Sequence, residues 1–327
     1  MTLPSTMRAA VVSGYGGPER VHVKSVPVPR LKRDEVLIRT RTTTVNSGDA
    51  RMRGLTVPFA MGLIMRLVIG ITAPRQPIFG TELCGTIVAL GPDVKGWEIG
   101  QEVVAFPGTA FKAHAEYVAV STRRPIVEKP PTLSDAEAAG LCFGGTTALH
   151  FLGKAKLAPG QKILVIGASG SVGSAMVQLA AHHFGADVTA VTSTANCALG
   201  SELGAARVID YTTTDYLAAP ERYDVIADCV GVTTFDACFV RLAPGGRYCA
   251  VSGGLGEMMS RGRDGRTVIA GMAAERRQDV ALLAQLAQEG RYRVLVDRVF
   301  PLDEIASAHA RVDTGHKRGS VVVTMAD

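Results

Sequence analysis

An α/β fold in two lobes is predicted, a β-rich lobe beside a doubly wound parallel sheet, and three observations predict it. The chain has 327 residues, and single cores stop growing at roughly 250 to 300 residues, so two cores are expected. Short β runs separated by turn residues occupy the first third of the sequence. From about Pro130 the texture changes to alternating strand and helix patterns, which imply a parallel sheet with helices on both faces.

In the first lobe the β runs are Ala9–Val12, Val36–Thr43, Gly85–Leu90, Glu102–Phe106 and Ala115–Val120. Apolar or β-branched residues dominate each of them. The second lobe opens with the strand Lys162–Ile166, a helix over Ser171–Phe184 and the strand Asp187–Thr192. A helix over Ala195–Leu203, strands at Arg207–Ile209 and Tyr223–Cys229, a helix over Thr233–Leu242 and a strand at Gly246–Ser252 follow. After a strand at Arg266–Ala270, the stretch Ala274–Glu289 repeats apolar residues at Val280, Leu283, Ala284 and Ala287, with Gly290 as C-cap. The end reads strand Val294–Val299, helix Leu302–Arg311 and strand Ser320–Thr324.

Composition narrows the function. The formal charge of +5 arises from 35 Lys and Arg against 30 Asp and Glu without a long basic run, so nucleic acid is not the expected partner and a small anion is welcome. Six cysteines without a C-x-x-C pair suit a reducing compartment. No secretory signal is visible near Met1, and the cytoplasm is the expected location. The longest apolar candidate, Leu55 to Ala73, is broken by Pro58, Arg66 and two glycines, so no membrane span is expected.

The strongest chemical signal is Gly167-Ala168-Ser169-Gly170-Ser171-Val172-Gly173, which follows an apolar strand and opens a helix. Glycines let backbone turn tightly and approach a pyrophosphate, while N-terminal N–H groups and the helix dipole attract its charge. In NAD enzymes an acidic residue about 20 residues further on holds the ribose hydroxyls. Here that stretch reads Val191-Thr192-Ser193-Thr194-Ala195-Asn196. It lacks a carboxylate that would repel a 2′-phosphate, and Thr192, Ser193 and Thr194 could donate to one, so NADP(H) is the expected cofactor. Ordinary polar loop and N-cap residues are the competing reading.

The runs Pro77-Ile78-Phe79-Gly80-Thr81-Glu82, Gly91-Pro92-Asp93-Val94 and Gly100-Gln101-Glu102-Val103-Val104 resemble the GroES-like catalytic lobe of medium-chain dehydrogenases/reductases. Gly144-Gly145-Thr146-Thr147, Val208-Ile209-Asp210-Tyr211, Asp228-Cys229-Val230-Gly231 and Leu242-Ala243-Pro244-Gly245-Gly246 continue the series in order. The resemblance implies a GroES-like domain at residues 1–127 with a C-terminal return at 272–327, and a Rossmann dinucleotide-binding domain at 128–271. It adds Asn46, Thr147, Tyr211, Val230, Gly231, Ser252 and Gly253 to the residues expected along the dinucleotide, with Lys317 or Arg318 reaching toward the 2′-phosphate.

Zinc-dependent members hold their catalytic metal with Cys, His and Cys or Asp. The matching positions here are Asn46, Thr81 and Phe143, none of which supplies thiolate, imidazole or carboxylate, so no metal is expected. That departure, with Asn46-Ser47-Gly48-Asp49 followed by Arg53, resembles the zinc-free quinone oxidoreductase branch. The resemblance implies hydride transfer from NADPH to a quinone or an α,β-unsaturated carbonyl, on a small hydrophobic substrate, in a homodimer paired through an edge strand at Arg266–Ala270. Asn46 is the leading candidate for holding the nicotinamide amide or substrate carbonyl. Asp49 and Arg51 follow as catalytic candidates, against a loop salt bridge, and some quinone reductases carry Tyr at the position of Arg51. The segment Leu55 to Ala73 either walls an apolar pocket or is ordinary packing. The competing readings are a non-catalytic NADPH-binding sensor, structural or RNA-binding protein, an acyl enoyl reductase, or a residual alcohol dehydrogenase. A hydrolase is disfavoured, because no Ser sits in a G-x-S-x-G elbow.

Overall fold

Apolar and β-branched residues bounded by turns build the first strands of the chain, seen here in a computed structural model that describes residues 3–55, 66, 67 and 69–325. In order they are β1 (Thr6–Val12), β2 (Val21–Pro27), β3 (Glu35–Val45), β4 (Leu83–Leu90), β5 (Glu102–Ala105), β6 (Tyr117–Ser121) and β7 (Ile126–Glu128). Helix α1 (Ser47–Gly54) leaves the end of β3, and α2 (Asp135–Ala139) follows β7. Most of segment Leu55 to Ala73, residues 56–65 and 68, lies outside the described residues.

The alternation that follows runs α3 (Cys142–Lys154), β8 (Lys162–Ile166), α4 (Ser171–Gln178), β9 (Asp187–Thr192), α5 (Cys197–Glu202) and β10 (Arg207–Asp210). It continues with β11 (Tyr223–Asp228), α6 (Phe235–Cys238), β12 (Leu242–Ala250), α7 (Leu255–Met259) and β13 (Thr267–Ala270). Last come α8 (Arg277–Gln288), β14 (Val296–Pro301), α9 (Ile305–Asp313) and β15 (Ser320–Thr324).

Two compact units result, Met1–Phe143 with Glu275–Gln288 and Val294–Asp327, and Gly144–Ala274 with Glu289–Arg293. In the first, β14-β15-β3-β4-β5-β7 form a sheet to which β6 adds along β3, so the C-terminal strand β15 lies antiparallel to β3. Val36, Ile38, Leu83, Ile87, Val103 and Val118 fill its core. In the second, six parallel strands lie in the order β10-β9-β8-β11-β12-β13. The order reverses between β8 and β11, and a crevice at the carboxyl ends of strands follows from such a reversal. Leu164, Ile166, Val191, Ile226 and Tyr248 pack one of its cores.

Some elements escape hydropathy. Helix α1, with the polar sequence SGDARMRG, forms through capping rather than amphipathicity. Residues 128–143 stay with the first unit because α2 docks there: Thr42 Oγ1 donates to the Asp135 carbonyl at 2.7 Å, and Arg41 and Lys129 both pair with the Asp135 carboxylate at 2.9 Å. Helix α4 ends at Gln178, and Leu179–His183 turn more widely as a π-type turn.

Candidate active site

In the first unit the site begins at the junction of β3 and α1. Asn46 leaves β3 with extended backbone and caps α1: its Oδ1 accepts the Gly48 N–H at 2.8 Å and the Asp49 N–H at 3.2 Å, and the Asp49 carboxylate accepts the Asn46 N–H at 3.0 Å. The reciprocal cap starts the helix and fixes Asn46. Its Nδ2 donates to Thr81 Oγ1 at 2.8 Å, and a Cβ on Gly48 would stand 3.7 Å from the Phe143 ring. The three positions at which zinc ligands would sit thus converge, and a carboxamide, a hydroxyl and a phenyl ring do not fit zinc. Among the described residues no group of three His, Cys, Asp or Glu side chains could hold a metal ion. Asn46 is 3% exposed, and its oxygen is committed to the cap; Nδ2 carries two protons, one of which goes to Thr81.

Asp49 has no exposed surface, and its other oxygen accepts the Gly80 N–H at 3.0 Å. Burial pushes its carboxyl pKa up, opposed by His114 at 3.9 Å and by the Asn46 and Gly80 N–H groups. The structure therefore places Asp49 as a brace between the segments that carry Asn46 and Thr81. Arg51 makes no ion pair with it; this side chain is exposed and has no hydrogen-bond or ion-pair partner among the described residues.

Sequence reasoning missed Glu82. This buried carboxylate receives Thr44 Oγ1 at 2.5 Å on one oxygen and the Cys142 and Phe143 N–H groups at 2.9 and 2.7 Å on the other. It ties β3, β4 and the start of α3 together behind Thr81, and burial pushes it up to about 7. The signal available was its place beside Thr81 in the Gly80-Thr81-Glu82 run. Cys142 is a buried thiol with its pKa raised by burial, as expected of a small hydrophobe.

In the second unit Gly167 ends β8 with φ +81°, and a Cβ on Gly173 would stand 2.1 Å from the Gly167 carbonyl oxygen, so the turn needs glycine at its third position. Gly170 differs: a Cβ there would meet nothing closer than the Gly167 oxygen at 3.6 Å. No protein neighbour demands that glycine. It is the N-cap of α4, with no side chain capping the helix, so the residues fit a pyrophosphate brought close to bare backbone. Gly144, at the start of α3, lies so close to the loop that a Cβ would stand 2.5 Å from the Ser171 oxygen. Thr147 is half-buried one turn further along α3.

Asp228, at the end of β11, shapes the opposite wall. Its oxygens accept the N–H groups of Val230 (3.0 Å), Gly231 (2.7 Å) and Thr233 (2.9 Å). Val230 sits against Gly167, and Ser252 Oγ donates to the Cys229 carbonyl at 2.9 Å, with Gly253 next in the chain. Gly167, Val230, Gly231, Ser252 and Gly253 are thereby gathered at the carboxyl ends of β8, β11 and β12, at the point where strand order reverses.

The loop after β9 is more committed than its sequence suggests. Thr192 is buried, and its hydroxyl has no hydrogen-bond partner among the described residues. Thr194 donates to Asp210 at 2.6 Å, and Ser193 Oγ accepts the Asn196 amide at 3.1 Å, which leaves the Ser193 proton to donate. The stretch itself carries no carboxylate, but the neighbouring β10 brings Asp210, held below the usual carboxylate range by Thr194 and Thr212. Tyr211 is 48% exposed beside it. Lys317 and Arg318 belong to the first unit. The Lys317 ammonium donates to the Gly319 carbonyl at 2.7 Å, and desolvation brings it down to about 8 against the pull of Asp297 and Glu82. Arg318 is exposed, and its backbone N–H donates to Asp297.

Two family models match the chain: "Alcohol dehydrogenase GroES-like domain" over residues 32–131 and "Zinc-binding dehydrogenase" over residues 203–323. The chain is 30% identical to an NADPH-dependent alkenal/one oxidoreductase, chloroplastic, of Arabidopsis thaliana, over 98% of this chain and 80% of that protein. It is 31% identical to a 2-methylene-furan-3-one reductase of Solanum lycopersicum, over 99% of this chain and 80% of that protein. The solved structure of the quinone oxidoreductase from Coxiella burnetii superimposes with a TM-score of 0.84 at 26% identity, covering 98% of this chain and 99% of the other.

Proposed function

This chain belongs to the zinc-free, quinone oxidoreductase-like branch of the medium-chain dehydrogenase/reductase superfamily, and from that premise we propose that it is an NADPH-dependent reductase of quinones or α,β-unsaturated carbonyl compounds. The observation that carries the reading is the meeting of Asn46, Thr81 and Phe143 where a metal would polarise an alcohol. Without a Lewis acid, acceptors with low-lying conjugated systems are the ones that need least help from the protein. When bound, reduced nicotinamide supplies the hydride.

The protein's own part is to bind and position. The glycine loop and the wall built on Asp228 suit the dinucleotide, and an Asn46 Nδ2 proton suits a carbonyl oxygen, of the acceptor or of the nicotinamide amide. Steady-state NADPH oxidation with 1,4-quinones and enones, set against oxidation of primary and secondary alcohols by NADP, tests this. Quinone or enone reduction should dominate; faster alcohol oxidation would sink it.

Among the described residues no helix is long and apolar enough to cross a membrane. We propose a cytoplasmic location, supported by six cysteines that are all free. A homodimer formed through β13 is supported by that strand's place at the edge of the parallel sheet. Sedimentation equilibrium should give twice the chain mass, and a proline placed in β13 should shift it to monomer.

A further inference from the structure

Within the first unit a cleft of about 370 Å³ opens along α1, lined by Gly16, Gly17, Ser47, Arg51, Arg53 and Asp313 among others. Its charge is unbalanced. Arg53 is 2% exposed and donates through Nη2 to both Asp313 oxygens at 2.7 and 2.6 Å, while its Nε and Nη1 have no hydrogen-bond partner among the described residues. Asp313 offsets one guanidinium; the second, on exposed Arg51, is offset by nothing among the described residues. Glu19 does not serve, since its carboxylate accepts the Gly17 N–H at 3.0 Å and lies 4.0 Å from Arg20.

The cleft is also placed to matter. Ser47 and Arg51 are four residues apart on α1 and so share a face, and Ser47 directly follows Asn46, the cap of that helix. A ligand anchored at Arg51 would extend along the first turn toward the Asn46 amide. Gly16 and Gly17 contribute bare backbone to the lining. Arg51 has a planar fork of donors matched to a carboxylate.

We propose that this cleft is a subsite for a carboxylate carried by the electron acceptor, with Arg51 as the residue that selects for it. The proposal rests on the reductase reading and deepens it: the preferred acceptor is an acidic enone or quinone rather than a purely hydrophobic one.

A matched pair of probes tests it, a 4-oxoalk-2-enoate and its methyl ester, reduced with NADPH by wild type, Arg51→Gln and Arg51→Lys. Wild type should favour the acid by about tenfold in kcat/KM, mainly through KM, as one charge-assisted contact warrants. The ratio should fall to about one or below in Arg51→Gln, recover in part in Arg51→Lys, and shrink with added salt. Equal use of acid and ester by wild type, or a preference that survives Arg51→Gln, would overturn the subsite. Equilibrium binding of the saturated 4-oxoalkanoate to the NADP-loaded protein supplies a readout without turnover. If neither enone is reduced, the reductase reading fails, and the subsite stands on Arg51-dependent binding or falls without it.

Discussion

Glu82 receives a hydroxyl on one oxygen and two backbone N–H groups on the other. The Thr44 hydroxyl can turn from donor to acceptor, so the carboxyl can hold a proton on Oε1 without disturbing the N–H groups on Oε2. Its folded pKa, about 7, lies above the ordinary carboxylate value. The group therefore favours the fold most at pH below about 4.5, and that contribution is lost as pH rises to about 7. Glu82→Gln mimics the protonated form in shape and donor pattern. We expect it to match wild type near pH 4 and to exceed it at pH 8 by up to about 3 kcal/mol in urea unfolding. A variant markedly less stable than wild type at pH 8 would contradict this account. At Ala195 the issue is cofactor selectivity. No Lys or Arg occurs between Asp187 and Ala206, Thr192 is buried, and Thr194 is engaged by Asp210. A modest NADPH preference follows. Ala195 is exposed in the turn after β9, and Ala195→Arg should raise the ratio of NADH to NADPH dissociation constants by roughly one to two powers of ten. An unchanged ratio would place the 2′-phosphate elsewhere.

Between β8 and α4, two glycines separate the demands of the fold from those of a ligand. Gly173→Ala forces a Cβ to 2.1 Å from a backbone oxygen, so it should cost stability by about 1 to 3 kcal/mol even without cofactor. Gly170 has ordinary φ of −74° and open space around it, and Gly170→Ala should leave the unfolding midpoint of the cofactor-free protein within about half a kcal/mol of wild type. NADPH affinity should nevertheless drop in Gly170→Ala, because a pyrophosphate crossing this turn would need to approach bare backbone there. Thermal melts with and without NADPH read both effects. Equal NADPH stabilisation of wild type and Gly170→Ala would mean that the dinucleotide does not cross that turn.

For the protein as a whole the metal question is the sharpest. The family model matching residues 203–323 is described as a zinc-binding dehydrogenase, yet the residues that the family resemblance equates with zinc ligands, Asn46, Thr81 and Phe143, lie together in the first unit without thiolate, imidazole or carboxylate. Purified protein should contain no stoichiometric zinc, and chelators should leave NADPH oxidation unchanged. Elemental analysis giving about one tightly held zinc per chain would overturn the equivalence of those three positions.

The sequence by itself determined two strands of the second unit to the residue, Lys162–Ile166 and Asp187–Thr192, with the glycine loop between them, but not where that unit begins. Parallel strands buried on both faces read as continuous apolar runs, and a phosphate loop needs glycines at set spacing, so both are written locally. At the three positions that the family resemblance equates with zinc ligands the sequence carries Asn46, Thr81 and Phe143, and residue type alone argues against zinc there. Tertiary structure decided what those positions do. Asn46 became a helix cap bonded to Thr81, Asp49 a buried brace, Glu82 a clasp across three elements, and Asp210 the partner of Thr194, because each depends on groups 3 to 61 residues away. Helix α1 was unreadable for the same reason: its cap and docking start it, not an apolar face. Hydropathy reports which side chains leave water; only the folded chain sets which buried donors meet which acceptors, and at this site those pairings fix what each residue has left to offer a ligand.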